Sequence, residues 1–290
     1  MKGYAYVFGA MASVFFGIGP IFSKGLSLAG MDAQSIIFSG HAIGCLLVFF
    51  ICLAGKVNIR IPLSNAAMYM ITGAVGMGVT GMLLNLSYRY ISVGTATAVH
   101  FLYPSIVMVT EALCMKSMLN PLQLGAIISS VLGMILLSSG TLTISPIGIY
   151  LALASSLTYS MYLLTGRLYI KKEVHVLAKL MYNYLGSAML CFILCVLSGG
   201  PDIYQGQLHN LAAFAAVNIF AYLLLNMAIR YGSVSKVAFA TLFEPLTATV
   251  LSLVIYGEQL SITTLCGFAL ILFSIWIRGK SSEAAELHKA

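Results

Sequence analysis

Charge is what this chain has least of. Only 8% of its 290 residues are Asp, Glu, Lys or Arg, against 60% hydrophobic, whereas soluble domains carry about 25% charged residues. So little charge leaves a soluble fold without the means to solvate its surface. Long polar linkers are missing too. The longest connection between apolar runs, 198–209 (SGGPDIYQGQLH), is too short to fold by itself, so no soluble domain fits between them. No Walker motif, nucleophile elbow, zinc signature or disulfide framework is present. The six cysteines (Cys45, Cys52, Cys114, Cys191, Cys195 and Cys266) fall in or beside apolar runs, where free thiols act as small hydrophobes. Cys191 and Cys195 share a helix face, but no His or carboxylate cluster completes a metal site. No metal, no cofactor and no enzymatic activity is expected.

What is there is a succession of ten apolar segments, several near the ~20 residues that cross a bilayer core. They run over 4–23, 33–54, 66–87, 92–114 and 120–140, then 145–165, 175–197, 209–229, 233–255 and 261–277. The run after Lys2 resembles a signal peptide locally. It continues through Gly17, Gly19 and Pro20 to Lys24, however, and reads as an ordinary membrane helix. The third and fourth segments are parted only by 88–91, a tight hairpin. Residues 279–290 read as a polar, irregular cytoplasmic tail.

The net charge of +7 would suit a nucleic-acid partner, but its placement argues against one. With a cytoplasmic N-terminus, the even connections and both termini hold Lys2, Lys56, Arg60, Lys116, Arg167, Lys171, Lys172, Arg230, Arg278, Lys280 and Lys289. The other side holds only Lys24 and Arg89, and Lys179 and Lys236 lie in segments near their cytoplasmic ends. Basic residues gather on the cytoplasmic side of membrane proteins, so both termini are expected there. No nucleic-acid partner is expected.

The stretch 83–104 (LLNLSYRYISVGTATAVHFLYP) recurs without a gap at 224–245 (LLNMAIRYGSVSKVAFATLFEP). Leu83/Leu224, Leu84/Leu225, Asn85/Asn226, Arg89/Arg230, Tyr90/Tyr231, Ser92/Ser233, Val93/Val234 and Pro104/Pro245 coincide at a constant offset of 141 residues. Leucine matches alone would mean little, but Asn, Arg, Tyr, Ser and Pro at one offset point to duplication. The boundaries are 1–141 for the first half and 142–278 for the second. Five spans per half is an odd number, so the second half enters the membrane from the opposite side. The expectation is an all-α membrane protein of ten helices in two inverted five-helix repeats.

Lipid gives helices no hydrophobic reason to associate, so small residues that allow close backbone approach do that work. Gly9, Ser13 and Gly17 lie four apart on the first segment, and Gly125, Ser129 and Gly133 do so on the fifth. The third segment holds 76–81, GMGVTG. That spells a dinucleotide-binding motif but lacks the strand and polar loop such a site needs. It reads as a packing face.

Glu244 stands about 16 Å into the ninth segment at 1.5 Å per residue. A charge at that depth costs several kcal/mol unless it is paired, hydrated or neutralised, so it marks a substrate or proton path. Pro245 withholds a backbone donor from the carbonyl of Thr241, and Pro104 does the same for His100. Tyr103 holds the place of Glu244 in the first half. Thr97, His100, Pro104, Val107 and Glu111 share one face of the fourth segment. His100 is a candidate for solute binding or proton relay. It lies too far from Glu111 on the same helix to pair with it, about 16 Å away. Glu111, nearer the cytoplasmic end, reaches toward headgroups or Lys116. Ser156, Tyr159 and Tyr162 on the sixth segment, and Asn218 and Tyr222 on the eighth, are cavity candidates. Their amphipathic rings suit a solute such as an amino acid. Asn85 and Asn226, near helix ends, read as backbone-bonding residues. Pro20, Pro104 and Pro245 are expected to kink their helices.

Taken together, 230–233 (RYGS), 243–246 (FEPL) and 256–260 (YGEQL) resemble the closing part of an EamA repeat. The first half carries the related 89–92 (RYIS) and 103–104 (YP). The whole chain resembles a ten-helix member of the drug/metabolite transporter superfamily. The resemblance implies a central cavity lined by segments 1, 3, 4, 6, 8 and 9. It also implies a role in exporting amino acids, related metabolites or toxic compounds from bacteria. One departure is that the first half has Lys116 and Ser117 where the second has Glu258 at a short turn. The expected function is secondary transport of small amphipathic metabolites, such as amino acids, across a bacterial inner membrane, with protons as a candidate coupling ion. Uptake or uncoupled facilitation of another solute is the alternative. An intramembrane enzyme or a non-transporting scaffold is the remote one.

Overall fold

The computed structural model describes residues 2–114, 120–139, 145–168, 174–202, 205–231, 237, 241, 243–257 and 261–287. Helix follows helix: α1 (Lys2–Leu28), α2 (Ala33–Ala54), α3 (Leu63–Gly73), a π-helical stretch (Ala74–Val79), α4 (Thr80–Ser87), α5 (Val93–His100) and α6 (Tyr103–Cys114). Then come α7 (Pro121–Ser139), α8 (Pro146–Leu168), α9 (Val176–Leu197), α10 (Leu208–Tyr231), α11 (Phe243–Tyr256) and α12 (Ile262–Leu287). No strand occurs among the described residues. Seven stretches are long and apolar enough to cross a membrane, and Pro121–Gly133 and Ile262–Ser274 are shorter apolar helices.

Local chemistry sets several boundaries. The Asp32 carboxylate caps α2 by accepting the Ser35 amide at 2.6 Å, and Ser92 caps α5 by accepting the Thr95 amide at 3.0 Å. Such caps satisfy amides that have no partner within the helix. The fourth segment is not one kinked helix. It breaks at Phe101 and Leu102, just before the proline that cannot donate at position 104. Pro20 lies inside the continuous α1.

Pro245 falls in the first turn of α11, where a missing amide costs nothing. The Thr241 carbonyl is not left free there, since it accepts the Glu244 amide at 3.2 Å. The GMGVTG run forms the π-helical stretch and enters α4. The polar tail departs from expectation: α12 continues to Leu287. Its end is rich in Ala, Glu and Leu, which are strong helix formers without a breaker. Residues 233–236 at the start of the ninth segment, Lys116, Ser117, Glu258 and the side chain of Glu111 lie outside the described residues.

Helices 141 residues apart in sequence pack against one another. Ser35 meets Cys195, His41 meets Ser187, and Cys45 donates to the Met181 carbonyl. The falling partner numbers mean that α2 and α9 run antiparallel. In α7, Ser129 donates to the carbonyl of Leu270 in α12 at 2.9 Å. The two positions differ by the repeat offset of 141. Helix α1 packs on α10 as α8 packs on α4, and α1 meets α11 as α8 meets α5 and α6. At the α3–α9 crossing there is no room for side chains. A Cβ on Gly73 would collide with the Asn183 carbonyl, and one on Gly186 with that of Met70. Glycine at both places is what lets the two backbones touch.

Candidate functional site

A cavity of about 70 Å³ lies among α1, α2, α4, α5, α8, α10 and α11. Its wall includes Pro20, Ser23, His41, Thr80, Asn85, His100, Tyr159, Asn218, Tyr222 and Glu244. It occupies the halves of α1, α2, α4 and α10 that adjoin connections 29–32, 88–92 and 198–207. Five of the eight expected site residues therefore line one space: Glu244, His100, Tyr159, Asn218 and Tyr222. The other three do not. Tyr103 and Thr241 are buried beside it, joined by a hydroxyl–hydroxyl hydrogen bond of 2.5 Å. Tyr162 is buried in the floor, accepting from Asn226 at 3.0 Å and from Asn183 at 3.4 Å. Ser156 turns its hydroxyl back onto the Leu153 carbonyl.

Glu244 is 5% exposed, and its Oε2 has no hydrogen-bond partner. It sits in the first turn of α11, where the positive end of the helix favours a carboxylate. Helix ends in mid-membrane of this kind are typical of transporter binding sites. Among the described residues no lysine or arginine lines the cavity. Asn85 Oδ1 and Ser23 Oγ on the same wall are likewise buried and without partners. The unmet groups are thus acceptors, apart from one hydroxyl.

His100 has a defined orientation. Its Nδ1 lies 2.8 Å from Ser155 Oγ, whose own proton goes to the Ala152 carbonyl at 2.6 Å. The imidazole must therefore donate through Nδ1, which leaves Nε2 as an acceptor. His41 approaches Ser187 through Nδ1 at 2.5 Å and meets the Tyr184 ring edge-on at 5.2 Å. Sequence reasoning passed over His41, Ser23 and Thr80. The depth argument applied to His100 marks His41 as a membrane-depth histidine too, but not its place on the cavity wall.

Below the cavity the tyrosines close ranks. Tyr159 stacks on Tyr162 at 6.0 Å, Tyr162 meets Tyr222 edge-on at 5.8 Å, and Tyr184 meets Tyr222 at 6.1 Å. On the far side of this layer is a second, smaller cavity of about 30 Å³, lined by Tyr69, Val174, Val176, Lys179, Asn226, Ile229 and Arg230. Asn85 and Asn226, one repeat apart, behave alike. Each donates through Nδ2 to the carbonyl four residues back, at 2.9 and 2.8 Å, and each leaves Oδ1 unpaired. One lines the upper cavity, the other the lower.

A helical membrane bundle holding a largely apolar cavity with a few buried polar groups, closed on one side by an aromatic layer, suits a solute transporter. The EamA-like transporter family model matches residues 3–139 and again 146–278, and the chain belongs to that family. An uncharacterized transporter of Clostridium kluyveri is 22% identical over 302 residues, covering 98% of this chain and 95% of the relative. Another from Archaeoglobus fulgidus is 26% identical over 239 residues, covering 81% and 84%. A crystal structure of a protein 17% identical in sequence superposes with a TM-score of 0.72, covering 99% of this chain and 100% of that one. The protein is a multi-pass integral membrane transporter.

Proposed function

We propose that the protein is a secondary exporter of small amphipathic metabolites carrying an amino group, amino acids foremost, from the cytoplasm of a bacterial cell. In this reading ten helices cross the inner membrane, both termini are cytoplasmic, and 1–141 and 142–278 are inverted repeats. The antiparallel pairing of α2 with α9, and the contact of Ser129 with Leu270, support the inversion. The upper cavity then faces outward, and the tyrosine layer shuts the cytoplasmic path. Alternating access would come from the two repeats rocking about the site.

The observation that carries the reading is Glu244: a buried carboxyl with an unpaired oxygen, on the wall of an aromatic cavity where no described residue offers a cation. It suits an ammonium group, and in the absence of solute a proton. Solute and proton would compete for the same carboxyl, which couples export to proton entry. His100, presenting Nε2 as an acceptor, adds a second proton-accepting group. The test is efflux of a labelled amino-acid and metabolite panel from preloaded cells, with Glu244→Gln at matched expression. A charge-assisted hydrogen bond contributes about 1.5–3 kcal/mol, so the variant is expected to lose about 10- to 100-fold in transport efficiency. Full efflux in Glu244→Gln would remove Glu244 from the mechanism. A silent panel in the native protein would redirect the reading to uptake.

A further inference from the structure

We infer that His100 is the partner that takes the idle oxygen of Glu244 when the upper cavity shuts, through a hydrogen bond from the Glu244 carboxyl to His100 Nε2. The inference rests on the inverted-repeat transport reading above and adds to its site the residue that competes with solute.

The starting point is the bond between Tyr103 and Thr241. Tyr103 stands one repeat, 141 residues, before Glu244, and Thr241 stands one repeat after His100. Across a two-fold axis, a contact between two positions implies a contact between their counterparts. Tyr103 on Thr241 therefore maps onto Glu244 on His100. The surrounding backbone obeys the same relation. Helix α6 begins at Tyr103 and α11 at Phe243, within one residue of equivalence. In α8, Ser160 donates to the Tyr103 carbonyl at 3.2 Å. In α1, a Cβ on Gly17 would lie 2.8 Å from the Glu244 carbonyl. Ser160 is the counterpart of Gly19, two residues from Gly17.

Only one of the two mapped contacts is made. Tyr103 and Thr241, each 1% exposed, are joined beside the cavity. Glu244 and His100 both line it, with Oε2 of Glu244 unpartnered and His100 directing Nδ1 to Ser155. When the repeats exchange roles, Tyr103 parts from Thr241 and Glu244 closes onto His100. Because Nε2 accepts, the carboxyl must bring the proton. One proton held between oxygen and nitrogen satisfies both groups and leaves no net charge in the closed space. An empty site thus shuts with His100 on Glu244, and a loaded one keeps the solute ammonium there instead.

The test reads how often the lower side opens, as the rate at which N-ethylmaleimide labels Ile229→Cys, on the lower cavity wall. It uses the full chain without native cysteines, in solute-free proteoliposomes. Losing one hydrogen bond from the lower-open state should slow labelling about fivefold. His100→Leu and Glu244→Leu are each expected to do so, and the double variant to do no more than either. Tyr103→Phe removes the opposing bond and should speed labelling about fivefold. Glu244→Gln still donates to Nε2 and should label at least as fast as the native protein. Loosened folding speeds labelling, so it does not imitate the slowing. Unchanged or faster labelling in His100→Leu, additive effects in the double variant, or Glu244→Gln behaving as Glu244→Leu overturns the pair. The two readings fail separately. A wrong pair leaves the efflux panel responsive to Glu244→Gln, and a wrong transport reading leaves that panel silent while the labelling pattern holds.

Discussion

Asn85 and Asn226 are the same residue twice, 141 positions apart, each bonded to its own helix through Nδ2 and each with an idle Oδ1. Their surroundings differ. Asn85 looks into a cavity of about 70 Å³ that holds Glu244 and, among the described residues, no lysine or arginine, while Asn226 looks into about 30 Å³ beside Lys179 and Arg230. Tyr162 covers Asn226 with its hydroxyl, and 141 residues earlier the chain has Ile21, which has no hydroxyl to offer. Duplication set up two equivalent vestibules. Divergence at a few side chains has given the two cavities different walls.

The largest blow to that comparison would fall on the α3–α9 crossing, where Asn183 donates to the Tyr162 hydroxyl. Gly73→Val drives a side chain into the Asn183 carbonyl. Overpacking costs about 3 kcal/mol, more where backbone cannot yield, so a sharply lower melting temperature in detergent is expected. Next comes the latch. Tyr162→Phe removes the acceptor of two hydrogen bonds, about 1 kcal/mol each, so the lower side should open about 30-fold more often. Thiol labelling of Ile229→Cys, in a background without native cysteines, would report it.

Asn85→Leu sharpens the contrast in a different way. Removing an unpaired buried acceptor should stabilise the resting protein, yet cost about 1 kcal/mol, or about fivefold, in half-saturating solute concentration. A loss of stability with unchanged solute affinity would make Asn85 purely structural. Smallest is Ser155→Ala, which frees His100 to rotate or change tautomer. A loss of about twofold in transport rate is expected, with Ser155→Thr restoring it.

Much of this was readable in the sequence, for identifiable reasons. Membrane segments announce themselves by composition, and the repeat by polar residues that apolar drift would not preserve. Glu244 and His100 stood out because ionisable groups are costly at membrane depth. His41 did not, because its place on the cavity wall depends on how α2 rotates against α9. The break at Phe101 and Leu102 has a local cause in Pro104, but whether a proline bends or divides a helix depends on its neighbours. Tyr103 and Thr241 had the right depth and pattern, yet they satisfy each other beside the cavity. Helical periodicity names a face and leaves open what that face meets. The extension of α12 to Leu287 was legible from propensity and was obscured by polarity.

The contact between Ser129 and Leu270 has a consequence for ancestry and assembly. A residue that meets its own counterpart lies on a two-fold axis, which is how the two identical chains of an isologous dimer touch. The α7–α12 crossing therefore has the form of a subunit interface that has become internal to one polypeptide. Severed in the 140–144 connection and expressed as two chains, the halves retain that interface, and it would be the natural seam for their reassembly.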